Sequence, residues 1–179
     1  MASLLKKLFR NSDGMARKLY SKVVKRARRA EYFHEWSVPD TPNGRFEVLA
    51  LHLFLVMYRL RSEEGLSNFA RALSEEAVLD MDRNLREMGV GDLSVGRKVK
   101  SLAEALYGRF GAYADGIEGD DEVLSEALCR NFFADFGGTD DAVLAVVHFM
   151  RSEAKRLASL NASCLLEARL CDEGLPNVS

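Results

Sequence analysis

The chain has 179 residues, 47% of them hydrophobic and 29% charged, with a net charge of −2. This usage supports a sizeable core and excludes the low-apolar, high-charge composition of a disordered chain. The charge is unevenly placed: residues 1–30 hold ten Lys or Arg and one acid, Asp13, so that segment is +9 and the remainder −11. Such asymmetry points the amino-terminal part at an anionic surface, either membrane or RNA.

Residues 1–9 read as a short helix, and Ser12 or Asp13 caps a second that runs to about residue 35. In the second helix Ala16, Leu19, Tyr20, Val23, Val24, Ala27 and Ala30 recur at three-and-four spacing and make one apolar stripe. Lys18, Lys22, Lys25, Arg26 and Arg29 lie away from it. Two readings are open: a surface helix with a solvated basic face, or a face that contacts anionic lipid or the ribosome. Residues 1–10 lack a sustained apolar stretch and a small-residue cleavage site, so no signal peptide is expected.

Pro39 and Pro42 disfavour helix in the residues before them, so residues 36–43 read as an extended connection, after which Gly44 opens an apolar helix over 45–62. Its most apolar stretch, residues 46–60, carries Glu47, His52 and Arg59 and falls short of the roughly 20 residues that span a bilayer. It is a core helix. Gly65 turns the chain into a helix over 67–88, with a bend near Ser74. Ser94 caps the next, to about residue 113, and a loop at 116–119 precedes a helix that Asp120 or Asp121 caps and that runs to about 136. Thr139 begins the last long helix, through about 160, and a short one follows over 165–171. The only other proline is Pro176, so the expected fold is all-α. It is a single-domain multi-helix bundle of residues 36–179, with the basic amphipathic segment 1–35 packed on it.

Few motifs promise chemistry. The run from Gly89 to Ser94 lacks the third glycine of a dinucleotide turn and follows a helix. The Asp80 run has Leu85 where a calcium loop needs glycine. Glu31 and His34 have di-iron spacing without the second pair that such a site requires. Cys129, Cys164 and Cys171 form no C-x-x-C pair. Cys164 and Cys171 lie seven apart on one helical face, as buried free thiols would. His52 reads as a hydrogen-bonded core or boundary histidine, and no cofactor or metal is expected.

Two blocks are more distinctive. The first is Val38-Pro39-Asp40-Thr41-Pro42-Asn43-Gly44-Arg45-Phe46-Glu47, running on to His52. The second is Met81-Asp82-Arg83-Asn84-Leu85-Arg86-Glu87-Met88-Gly89-Val90-Gly91-Asp92-Leu93, followed by Val95-Gly96-Arg97-Lys98-Val99-Lys100 and Tyr107-Gly108-Arg109. In order and spacing they resemble the ubiquinol-cytochrome c chaperone family over roughly residues 30–156. The short chain resembles a bacterial member.

The resemblance implies a non-enzymatic helper that binds newly made cytochrome b during assembly of the ubiquinol-cytochrome c reductase complex. It also implies a small co-chaperone and the ribosome as candidate partners. The place of work would be the bacterial cytoplasm or the cytoplasmic face of the inner membrane. Asp40, Arg45, Arg86, Glu87, Asp92, Arg97 and Lys98 are the candidate protein-binding residues, although Arg45 and Arg86 can equally pair with Asp40, Glu87 or Asp92 to fix the two loops. Lys18, Lys22, Lys25, Arg26 and Arg29 are the candidate membrane or ribosome contacts. The competing readings are an RNA- or ribosome-binding module and, more distantly, a helical metalloenzyme.

Overall fold

The computed structural model describes residues 12–170, so the helix expected over 1–9 and the position of Cys171 lie outside the described residues. Among the described residues there are eight helices and no strand. They are α1 (Ser12–Ala27), α2 (Ala30–Glu35), α3 (Pro42–Arg61), α4 (Ser67–Glu87), α5 (Asp92–Glu118), α6 (Asp121–Arg130), α7 (Asp140–Ser159) and α8 (Ala162–Leu166).

The expected helix over 12–35 is two helices. Arg29 takes extended backbone (φ −67°, ψ 133°), and α2 then turns Tyr32 and Trp36 into the core, where they are 0% and 1% exposed. The helix starts earlier than expected at α3, because Pro42 occupies its first turn, where a missing N–H costs nothing, and the Thr41 hydroxyl accepts from the Gly44 N–H at 3.2 Å. Gly44 is a requirement of close approach: a Cβ there would lie 2.1 Å from the Pro39 carbonyl oxygen. The α4 helix ends at Gly89 in the left-handed conformation (φ 79°), with Val90 N–H bonded back to the Leu85 carbonyl.

Ser94 does not cap α5. That helix starts at Asp92 after Gly91 and runs through Gly116. Gly116 is helical because its bare backbone packs against Leu124, whose Cδ1 would sit 2.7 Å from an added Cβ. Asp120 caps α6, which stops at Arg130, short of 136, and Thr139 caps α7. The Asn161 side chain caps the short α8, which spans five residues. Cys129 is exposed and Cys164 only half-buried, so the thiol expected to be core at 164 is at the boundary.

The core is arranged around α3, which packs on α1, α4, α5 and α7 and buries side chains on nearly every face. Parallel neighbours can be read from constant offsets. Arg17–Glu76 and Tyr20–Asp80 set α1 alongside α4, and His52–Phe149 with Arg59–Leu157 set α3 alongside α7. Two arginines cap neighbouring helix ends, where carbonyls lack partners. Arg59 donates to the Leu157 and Leu160 carbonyls at the end of α7, and Arg151 donates to those of Gly116, Ile117 and Gly119 at the end of α5. No described helix is long and apolar enough to cross a membrane.

Candidate functional site

Where α1, the start of α3, the second half of α4 and α5 meet, they enclose a groove of about 650 Å³. Its floor is apolar, built from Val24, Phe46, Leu49, Met81, Leu85 and Leu102. Its rim is polar and carries Arg28, Asp40, Arg45, Asp80 and Asn84. The two distinctive blocks, 38–52 and 81–109, thus face one another across one cavity.

Each wall is fixed by polar pairs. Arg45 donates twice to Asp40, at 2.5 and 3.1 Å, and these hydrogen bonds hold the Asp40 carboxyl below the usual range. Asp80 accepts from the Tyr20 hydroxyl at 3.0 Å and from the Asn84 amide at 3.1 Å. Burial first, and Asp80 second, push the Tyr20 hydroxyl well above its ordinary pKa, so it stays a donor. Behind Phe46, Arg109 grips Glu47 with two bonds of 2.7 and 2.5 Å and lies 5.3 Å from the centre of the Phe46 ring. Burial raises Glu47, and Arg109 opposes that shift. The buried Tyr113 hydroxyl on the same helix as Arg109 has no hydrogen-bond partner among the described residues.

Of the predicted protein-binding residues, only Asp40 and Arg45 line the groove. Arg86 bonds Asp82 at 2.7 Å and Asp92 at 2.5 Å, fastening the α4–α5 turn, and does not pair with Glu87. Glu87, Arg97 and Lys98 are exposed away from the lining. Lys18, Lys22 and Lys25 are exposed on α1, as expected.

Arg26 is not at the surface. It is 6% exposed, its guanidinium lies 2.6 Å from Glu153 on α7 and it donates to the Tyr32 hydroxyl. Arg29 is half-buried. Arg26 therefore leaves the basic face, because the turn of α1 that carries it faces inward. Sequence reasoning missed the apolar floor, since half-buried positions on amphipathic helices carry the same pattern as core positions.

The lining offers hydrophobic area, a few charged rim groups and well-held backbone. Among the described residues, no cluster of His, Cys, Asp or Glu could hold a metal ion. The arrangement suits an apolar segment of another chain, laid on the floor and oriented by the rim.

Comparison with known proteins agrees with the two blocks. A chain of Xenopus laevis, ubiquinol-cytochrome-c reductase complex assembly factor 1, is 26% identical over 152 residues, covering 84% of this chain and 76% of that one. The Drosophila melanogaster assembly factor of the same name is 29% identical over 148 residues, covering 79% of this chain. The chain spans 57% of the Drosophila protein and 52% of its mouse counterpart. The crystal structure of the Cbp3 homolog from Brucella abortus superposes with a TM-score of 0.78 at 30% identity, covering 93% of both chains. With the family model for the ubiquinol-cytochrome C chaperone matching residues 34–171, the chain belongs to that family.

Proposed function

We propose that this protein is an assembly factor of the ubiquinol-cytochrome c reductase complex, and that its groove holds an apolar segment of newly made cytochrome b. The observation that carries this reading is the convergence of the two family-like blocks on one apolar cavity with a charged rim. Relatives bearing the assembly-factor name supply the complex. Cytochrome b fits as client because a multi-span membrane subunit exposes apolar stretches before it is packed, and a preformed apolar groove shields such a stretch reversibly. The protein acts by holding rather than by catalysis. Asp40 and Arg45 orient the client at the rim, and Arg86 and Asp92 keep the facing turn in place. A small co-chaperone and the ribosome are the further partners of this scheme, set on the cytoplasmic face of the bacterial inner membrane.

The test is co-purification of newly synthesised cytochrome b with the tagged wild-type chain and with Leu85→Glu, which places a charge on the groove floor. The expected result is a loss of about tenfold or more in recovered cytochrome b, as a buried unpaired charge demands. Equal recovery by a folded variant removes the groove from the client site.

A second reading is favoured by one observation: Lys18, Lys22 and Lys25 are exposed on α1, and none is in an ion pair among the described residues. A ribosome-binding face there predicts co-sedimentation with ribosomes that weakens steeply with salt and is lost in Lys18→Glu, Lys22→Glu, Lys25→Glu. Salt-independent or unchanged sedimentation rejects it.

A further inference from the structure

At the edge of the groove, the turn joining α4 to α5 holds apolar side chains in solvent. Leu93, in the first turn of α5, is 98% exposed, and Met88, at the end of α4, is 62% exposed. They are the two most exposed large apolar side chains among the described residues. The backbone between them is equally uncovered: Cβ atoms added at Gly89 or Gly91 would meet nothing within 4 Å. The turn is therefore unobstructed at both glycines, with Val90 between them half-buried.

Just beyond Leu93, Arg97, Lys98 and Lys100 are all exposed. Arg97 and Lys98 make no ion pair among the described residues, and Lys100 reaches Glu104 only at 3.8 Å. Arg28, also exposed, lines the same groove as Met88. The nearby carboxylates of Asp82 and Asp92 are both paired with Arg86, and the exposed acids of the turn are Asp92, so neutralised, and Glu87.

Two bare apolar side chains are far too small for a stable protein interface, which buries about 1,200 Å² or more. They match a bilayer surface better. Apolar tips enter the acyl boundary, while cations a few ångströms behind stay with the phosphates, and each term adds to the other. We propose that the α4–α5 tip docks on an anionic membrane, with Leu93 and Met88 entering the acyl boundary and Arg97 and Lys98 meeting the headgroup phosphates. Because Met88 also lines the groove, docking brings the groove mouth to the bilayer. The proposal needs only lipid and stands apart from the identity of the client.

The experiment is flotation of the full chain with vesicles of phosphatidylcholine plus phosphatidylglycerol, against vesicles of phosphatidylcholine alone. Wild type floats with the anionic vesicles and less so as salt rises. Leu93→Asp lowers partitioning about tenfold, and Arg97→Ser with Lys98→Ser does so by a similar factor and flattens the salt dependence. Lys18→Ser with Lys22→Ser and Lys25→Ser retains most of it. These side chains are exposed, so thermal melting should show unchanged folding in every variant. Leu93→Trp gives a second readout, a blue shift on anionic vesicles above the constant signal of the buried Trp36. Failure of wild type to float, or flotation of Leu93→Asp equal to wild type, overturns the proposal. So does loss of a bound partner protein from Leu93→Asp in cells with flotation unchanged, which would make the tip a protein contact.

Discussion

The two sides of α3 are finished differently. Toward α7, Tyr32, Trp36, His52 and Phe149 stack with ring centres 4.6 to 6.3 Å apart, and Arg26, Glu153 and Arg156 form an ion-paired cluster beside them. Toward α4 and α5, apolar side chains of the same quality line an open groove of about 650 Å³. A helical protein of this size can close its core completely, and one side shows that it does. The open side is therefore the part of the sequence that is not optimised for packing, and the proposed client contact would account for it.

The sharpest way to break the closed side is to remove one member of its ion pair. Arg26 and Glu153 side chains are each 7% exposed. Burial pushes Glu153 up, but bonds from Arg156 and the charge of Arg26 outweigh it and hold the carboxyl below its ordinary value. Glu153→Ala leaves a buried guanidinium unpaired and should destabilise by about 3–5 kcal/mol in urea titration. Replacing Arg26 and Glu153 together with methionine should cost much less. A double variant as damaged as the single one would show that the charges do more than compensate each other.

A pH effect of comparable size belongs to His52. Its Nδ1 donates to the Val48 carbonyl at 2.8 Å, its Nε2 has no partner among the described residues, and burial lowers its pKa from 6.5 to about 4. The folded protein thus refuses a proton that the unfolded chain accepts between those values. Stability is complete above pH 6.5 and falls as acid is added down to about pH 4, by roughly 3 kcal/mol. Denaturation midpoints measured across that interval should decline for wild type and decline less for His52→Leu, which keeps only the loss at carboxyls such as Glu153.

Gly44→Ala tests the join between the two sides, since the new methyl collides with the Pro39 carbonyl. The expected loss is about 1–3 kcal/mol by denaturant titration, with displacement of the first block from the groove. The smallest effect on stability belongs to Arg86→Ala. Its partners Asp82 and Asp92 are at the surface, so the denaturation midpoint should not move, while recovery of the client falls if the turn must be held.

How much of this was legible in the sequence follows the range of the forces involved. The α3 and α7 helices were legible because unbroken apolar spacing fills both and Thr139 caps one of them, whereas Pro42, read as part of an extended connection, proved to open α3 behind the Thr41 cap. The break at Arg29 was not, since neither glycine nor proline announces it and its cause is the burial of Tyr32 and Trp36. Arg26 carried the pattern of a surface cation because its partner Glu153 stands 127 residues away. At Gly116 the local rule pointed the wrong way, as close packing on Leu124 keeps a glycine helical. The groove followed the same logic: resemblance marked both blocks, but only the packing of α1, α3, α4 and α5 brings Asp40 and Arg45 opposite Asn84 and Leu85.

The central claim is that the open side, and not the closed one, holds newly made cytochrome b. Its most direct test is in-cell photo-crosslinking with the probe at Asn84 on the groove rim and, in parallel, at Lys155, exposed on α7. The account predicts capture of newly synthesised cytochrome b from Asn84 and none from Lys155. Capture from Lys155 with none from Asn84 or from any other rim position would contradict it.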